Sequence, residues 1–166
     1  FIGGGKMAEA ILHGVLSGGL AGPQDIAVGE PIQTRRDYLA KQFGVSVVGD
    51  NVESVEDADL VVVAVKPQDL ASVMDQIKGH LKPQQAALSI VAGAKMSTLS
   101  QGLGHPSVIR VMPNTPAQIG SGMSLWTCTG EVTESTKALT KSILSTVGEE
   151  IFVSDEKYMD MATALS

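Results

Sequence analysis

The chain has 166 residues, of which 43% are hydrophobic and 18% charged, with a formal net charge of -6. That composition suits one globular domain with a sizeable core, and an acidic balance without a basic stripe argues against a nucleic-acid or anionic-membrane partner. The single Cys128 excludes an internal disulfide framework and a thiolate zinc cluster, so a reducing cytoplasm is the expected compartment, and no apolar run is long enough to span a bilayer.

Phe1-Ile2-Gly3-Gly4-Gly5 runs straight into Lys6-Met7-Ala8-Glu9-Ala10-Ile11. This reads as the end of an apolar strand, a glycine turn and a helix start in the pattern G-x-G-x-x-A. Gly3 would permit the tight turn, Gly5 would let the backbone approach a pyrophosphate, and Ala8 would keep the helix close to the sheet. The free N–H groups and positive dipole end of the helix then face the phosphates. A first helix is expected from about Lys6 to Ser17, with Ala8, Ile11, Leu12 and Val15 on one face and Gly18-Gly19 as terminator.

Further along, Asp25 to Gly29 reads as a strand, Thr34 to Phe43 as a helix ended by Gly44, and Val45 to Val48 as a short strand. Leu60 to Val65 is a continuous β-branched run, as expected of a parallel strand covered on both faces. Lys66-Pro67 breaks it. A helix over about Leu70 to Lys78 precedes a buried strand, Ala86 to Val91, and Gly93 turns the chain into a short helix near Met96 to Gly102. Val108 to Val111 is the next strand, followed by the proline-rich turn Met112-Pro113-Asn114-Thr115-Pro116. Met123 to Trp126 (strand), Thr133 to Leu144 (helix) and Glu150 to Val153 (strand) complete the series. The alternation implies right-handed crossovers and an α/β, Rossmann-like, doubly wound and mostly parallel sheet with helices on both faces. Ligands of such sheets bind at the carboxyl ends of the strands. Those ends are Gly3 to Met7, Glu30-Pro31, Asn51, Ala64 to Pro67, Ala92-Gly93 and Met112 to Thr115.

The blocks Phe1 to Ile11, Ala64-Val65-Lys66-Pro67, Ser89-Ile90-Val91-Ala92-Gly93 and Ile109-Arg110-Val111-Met112-Pro113-Asn114-Thr115-Pro116 together resemble, in order and spacing, the cofactor domain of the pyrroline-5-carboxylate reductases. The resemblance implies hydride transfer from NAD(P)H to the imine of 1-pyrroline-5-carboxylate, giving proline. It also implies a second, all-helical domain absent from this chain, through which the protein would form a homo-oligomer. Residues 1–153 would be the dinucleotide-binding domain and 154–166 the start of the connecting helix, the chain being a piece of something longer.

Carried over by position, Ile2, Gly3, Gly4, Gly5, Lys6 and Met7 would hold the pyrophosphate, and Glu30 would lie at the adenosine ribose. Asn51 would touch the cofactor. Ala64, Val65, Lys66 and Pro67 would flank the nicotinamide riboside, Ala92 and Gly93 would pass under it, and Asn114 and Thr115 would close the pocket floor. An acidic residue after this strand ordinarily favours NAD by accepting from the ribose 2′-hydroxyl. Pro31 would swing Glu30 away, and Arg35 and Arg36 supply charge for a 2′-phosphate, so NADP(H) is expected to be preferred and NAD(H) tolerated.

The residues by themselves also admit plainer roles. Arg35-Arg36 reads equally as a solvated helix face, Lys66 as an exposed lysine after a strand, and Asn114 as a turn former. His13, His80 and His105 are too scattered for a metal site, and Cys128 reads as a packing residue. Glu131, Glu134, Glu149 and Glu150 read as solubilising surface. No residue offers itself as the catalytic acid. A hydroxyacid or prephenate dehydrogenase of the same architecture, a nucleotide-binding regulatory module and a structural partner are the other readings.

Overall fold

The structure, a computed structural model, describes residues 1–114, 116–117 and 120–165, the side chains of 162–165 excepted. The elements in chain order are α1 (Lys6–Ser17), β1 (Ala27–Gly29), α2 (Gln33–Phe43), β2 (Ser46–Val48), α3 (Asn51–Val55), β3 (Leu60–Val63), α4 (Leu70–Ile77), β4 (Ala86–Ser89), α5 (Met96–Leu103), β5 (Val108–Pro113), β6 (Gly122–Cys128), α6 (Glu134–Ser145), β7 (Gly148–Phe152) and α7 (Lys157–Leu165). Among the described residues no helix is long and apolar enough to cross a membrane.

β1 and β2 pair in parallel, and β3 to β7 follow one another across the sheet. Ile2 joins the two groups, bridging Gly29 on one side and Val63 on the other. The short stretch before the glycine turn therefore lies inside the sheet, between β1 and β3. β3, β4 and β5 are parallel, β6 runs antiparallel to β5, and β7 is parallel to β6. The reversal follows from the connection. Residues 114–121 are too few for a crossover helix, so the chain must return beside the strand it has left.

Alternation along the strands divides the core between two faces. Val61, Val63, Ala87 and Val108 pack with Val73, Met74 and Ile77 of α4 and Leu99 and Leu103 of α5. Val62, Leu88, Ile109, Val111 and Trp126 point the other way, toward Leu144 of α6. The α1 face packs Ile11, Leu12 and Val15 against Val28 and Leu39. Each fully buried Leu or Ile contributes roughly 1.5–3 kcal/mol, which makes this two-sided burial the main support of the sheet.

The expected elements are present with their ends moved by a few residues, and α1 has the expected bounds and the expected buried face. The one-turn helix α3 is not among the expected elements, whereas α7, Lys157–Leu165, lies within the stretch expected to begin a connecting helix. Glu150 departs from its expected surface role. Its carboxylate accepts from Trp126 Nε1 at 2.7 Å and lies 3.5 Å from Lys141 Nζ, with 11% of the side chain exposed, tying β7 to β6 and α6.

Candidate functional site

The glycine turn sits at the carboxyl edge of the parallel strands. Ile2 is fully buried, so the turn starts from a fixed point. Gly3 has φ +91°, and a Cβ there would lie 2.6 Å from the Ala64 carbonyl oxygen. Only glycine meets both conditions, and the same closeness sets Ala64-Val65 against the turn. Gly4 lacks room for a Cβ because Leu39 of α2 occupies it.

Both polar atoms of Gly4 are taken. Its N–H donates to Glu30 Oε2 at 3.0 Å, and its carbonyl accepts from Arg35 Nε at 2.6 Å. Gly5 is different. It is exposed, a Cβ on it would meet nothing within 4 Å, and it caps α1 with no side-chain hydrogen bond. Among the described contacts the amides of Gly5, Lys6 and Met7 have no partner, as befits a helix start. Such amides at the positive end of a twelve-residue helix, with open space at Gly5, fit a pyrophosphate.

Glu30, the residue after β1, is turned inward and only 7% exposed. Its second oxygen accepts from the Ile32 amide at 3.0 Å, so both oxygens serve the backbone. Arg35 and Arg36 follow on the first turn of α2. Arg36 donates to the carbonyls of Glu30 at 2.8 Å and Pro31 at 2.7 Å. Arg35, besides holding Gly4, donates to Glu9 Oε2 at 2.5 Å and lies 4.8 Å from the Tyr38 ring centre. Tyr38 Oη donates to the other Glu9 oxygen at 2.7 Å. Partial burial by itself would raise the Glu9 carboxyl, but hydrogen bonds from Arg35 and Tyr38 and the charges of Arg35 and Lys6 outweigh it and hold Glu9 below the usual glutamate range.

Other expected residues line the same edge. Asn51 begins α3 beside Gly29 and donates to Gln76 Oε1 at 2.8 Å. Ala64 continues β3, its amide donating to the Ile2 carbonyl at 2.8 Å, and exposed Lys66 and Pro67 open a short turn before α4. Ala92 and Gly93 are exposed just past β4, Gly93 with φ +74°. Asn114 accepts the Met123 amide at 2.9 Å through Oδ1, so its side chain also closes the turn between β5 and β6. Thr115 lies outside the described residues.

Concavities of about 460 and 700 Å³ lie elsewhere, one beside α1 and Thr146-Val147 and one beside the amino ends of β1 to β3. At the glycine turn the structure shows open space above Gly5, where a Cβ would meet nothing within 4 Å.

The remaining chemistry-bearing side chains serve structure. His105 is buried with Nε2 2.6 Å from the Gln85 carbonyl oxygen. Burial pushes the Cys128 thiol up, against the behaviour of a nucleophile. Two roles at the site are not marked in the sequence: Glu9 as partner of Arg35 and Tyr38, and Glu30, expected to swing off the ribose, as acceptor for the Gly4 and Ile32 amides. The signal for Glu9 was its place in the first turn of α1, where a carboxylate is favoured and an arginine must come from another element.

Residues 1–93 match the family model described as NADP oxidoreductase coenzyme F420-dependent. The chain is 39% identical over 165 residues to a pyrroline-5-carboxylate reductase of Synechocystis, covering 99% of this chain and 61% of the relative. It is 36% identical over 166 residues to the Arabidopsis thaliana enzyme of the same name, covering 100% of this chain and 60% of that one. Among solved structures, a pyrroline-5-carboxylate reductase from Coxiella burnetii superposes with TM-score 0.95 at 32% identity, over 100% of this chain and 62% of that chain. The Plasmodium falciparum pyrroline carboxylate reductase with NADP bound gives TM-score 0.86 at 28% identity, over 100% of this chain and 60% of that one. A prephenate dehydrogenase from Aquifex aeolicus, at TM-score 0.80 and 14% identity, shares the fold alone. This chain thus spans about three fifths of the reductases it matches. Similar along its whole length to part of the pyrroline-5-carboxylate reductases, the chain belongs to the NADP oxidoreductase, coenzyme F420-dependent family.

Proposed function

We propose that this chain is the dinucleotide-binding unit of an enzyme that reduces the imine of 1-pyrroline-5-carboxylate to proline. The observation that carries the reading is the glycine turn: Gly4 is held on both sides, among the described contacts the amides of Gly5, Lys6 and Met7 have no partner, and open space lies at Gly5. NAD(P)H, when bound, supplies the hydride. The chain's own residues bind and orient. Gly5 to Met7 hold the pyrophosphate, and Ala64 to Pro67 and Ala92-Gly93 flank the nicotinamide riboside. Asn51, Asn114 and Thr115 complete the groove. We assign no catalytic acid within these residues.

NADP(H) is the preferred cofactor on this reading, with NAD(H) tolerated. Its support is the inward Glu30, which presents no carboxylate to the ribose, and the guanidinium of Arg36 beside it. Residues 1–153 form the cofactor unit, and 154–166 lead toward a helical domain that supplies most substrate contacts and a homo-oligomeric interface. A cytoplasmic setting agrees with the lone Cys128.

The complete protein, given 1-pyrroline-5-carboxylate and either reduced cofactor, should consume it with loss of reduced-nicotinamide absorbance. Dinucleotide binding without such turnover would favour a dehydrogenase of the same architecture acting on another substrate.

A further inference from the structure

We propose that Arg35 is a positioning residue of the dinucleotide site: by gripping the Gly4 carbonyl it aims the Gly5 amide at the bound pyrophosphate. The inference rests on the dinucleotide-binding reading above. Three consecutive glycines have almost no steric preference of their own, so a peptide between them turns over at little cost. The Gly4–Gly5 peptide is trans, like every other peptide described, so its N–H points opposite to its C=O. Arg35 Nε holds that C=O at 2.6 Å from the α2 side, which directs the Gly5 N–H away from α2. Glu30 holds the preceding amide, that of Gly4, at 3.0 Å. The turn is thereby fixed before any ligand arrives, so binding does not bear the entropy of ordering it.

Arg35 is itself held. One of its terminal nitrogens donates to Glu9 Oε2 at 2.5 Å, and Tyr38 donates to the other Glu9 oxygen at 2.7 Å. The guanidinium side chain is 22% exposed and stands against a carboxylate that is 19% exposed. An arginine already neutralised by Glu9 offers little to a 2′-phosphate, and the carboxylate beside it would repel one. A role shared by both cofactors follows. This separates Arg35 from Arg36, whose partners are backbone carbonyls and Gln33, with no carboxylate.

Calorimetric titration with NADH and with NADPH tests the assignment on the unaltered protein and on Arg35→Met, Arg35→Lys and Glu9→Gln. Arg35→Met should weaken both cofactors alike, by about tenfold, with their affinity ratio held within about twofold. Arg35→Lys, which keeps a cationic donor, should recover part of that loss for both. In NMR spectra of the unliganded protein, Arg35→Met should move and broaden the Gly5 amide resonance while the amides of Val28 and Val62 stay in place. A general loss of folding would disturb all three. A loss confined to NADPH would overturn the proposal and make Arg35 a phosphate ligand. Unchanged affinities, or a Gly5 resonance that does not move, would overturn it as well. If the unaltered protein binds neither dinucleotide, the functional reading falls with it.

Discussion

Arg110 in the middle of β5 and Glu156 just ahead of α7 lie 2.6 Å apart, and the same Glu156 oxygen accepts the Met96 amide at the start of α5 at 2.8 Å. Asp160, one turn into α7, takes a second Arg110 nitrogen at 3.0 Å. One arginine, 5% exposed within the sheet, therefore fastens α7 to the core next to the wholly buried Met159. Removing a partner from a buried pair costs about 3–5 kcal/mol, and the 48% exposure of Asp160 puts this case near the lower end. Arg110→Met should lower stability by about 3 kcal/mol in urea unfolding. Hydrogen exchange should quicken in α7 well before β4. An unchanged unfolding midpoint would mean that α7 is held by its apolar contacts alone.

The sequence makes the site edge legible because its marks are local. Gly3, Gly5, Ala64-Val65-Lys66-Pro67 and Ala92-Gly93 each interrupt a strong apolar run, and the doubly wound order then sends them to one side. What escaped notice depends on partners far along the chain. Arg110 sits 46 residues from Glu156, and a charge inside Val-Ile-Arg-Val declares only that some acid must find it. Pro31 suggests that Glu30 swings off the ribose, but that it turns onto the amide of Gly4, 26 residues earlier, is visible only in the fold. The helix α3 carries a local mark of its own. Asp50 caps it by accepting the Val52 amide at 2.9 Å, and Glu53 follows three residues later, which is the spacing of a capping box. The reversal at β6 was readable from the shortness of the turn after Asn114.

Gly3 and Gly5 should part company under mutation. At Gly3 the backbone is left-handed and the Ala64 carbonyl stands in the way, so Gly3→Ala should cost at least about 2 kcal/mol of stability. At Gly5 the backbone has φ -71° and nothing stands within 4 Å of a Cβ. Gly5→Val should then leave the thermal unfolding transition nearly where it was, yet abolish dinucleotide binding by filling the pyrophosphate's place. Undiminished affinity in Gly5→Val, measured by calorimetry, would move the phosphate site elsewhere.

The Glu9 cluster carries a pH dependence whose sign follows from its direction of shift. Glu9 titrates lower in the folded protein than in an unfolded chain, so the unfolded state binds the proton more readily. The stabilisation is complete above the ordinary glutamate pKa of about 4.3 and is lost as pH falls from there through the lower folded value. Protonation takes the acceptor charge from Arg35 and so loosens Gly4 too. Urea midpoints measured down this range should fall more steeply for the unaltered protein than for Glu9→Gln. Parallel curves would show that the cluster contributes nothing.

Cofactor choice should reside in Arg36 rather than in its neighbour. Dinucleotide folds seat the adenosine ribose just beyond the strand that here ends at Gly29. At that point Glu30 is folded inward onto the Gly4 and Ile32 amides, and the guanidinium of Arg36 spans the Glu30 and Pro31 carbonyls. Gly49 borders the same guanidinium, a Cβ there lying 3.4 Å from Arg36 Nη1, in ordinary van der Waals contact. A hydrogen bond to a charged group is worth about 1.5–3 kcal/mol, and a 2′-phosphate would gain one that a 2′-hydroxyl gains only weakly. Arg36→Ala should therefore weaken NADPH about tenfold more than NADH, in contrast to the even loss expected of Arg35→Met. Equal losses in Arg36→Ala would remove Arg36 from the selection. If the unaltered protein binds NADH at least about tenfold more tightly than NADPH, a difference of about 1.4 kcal/mol, Glu30 must turn outward on binding and act as a ribose ligand.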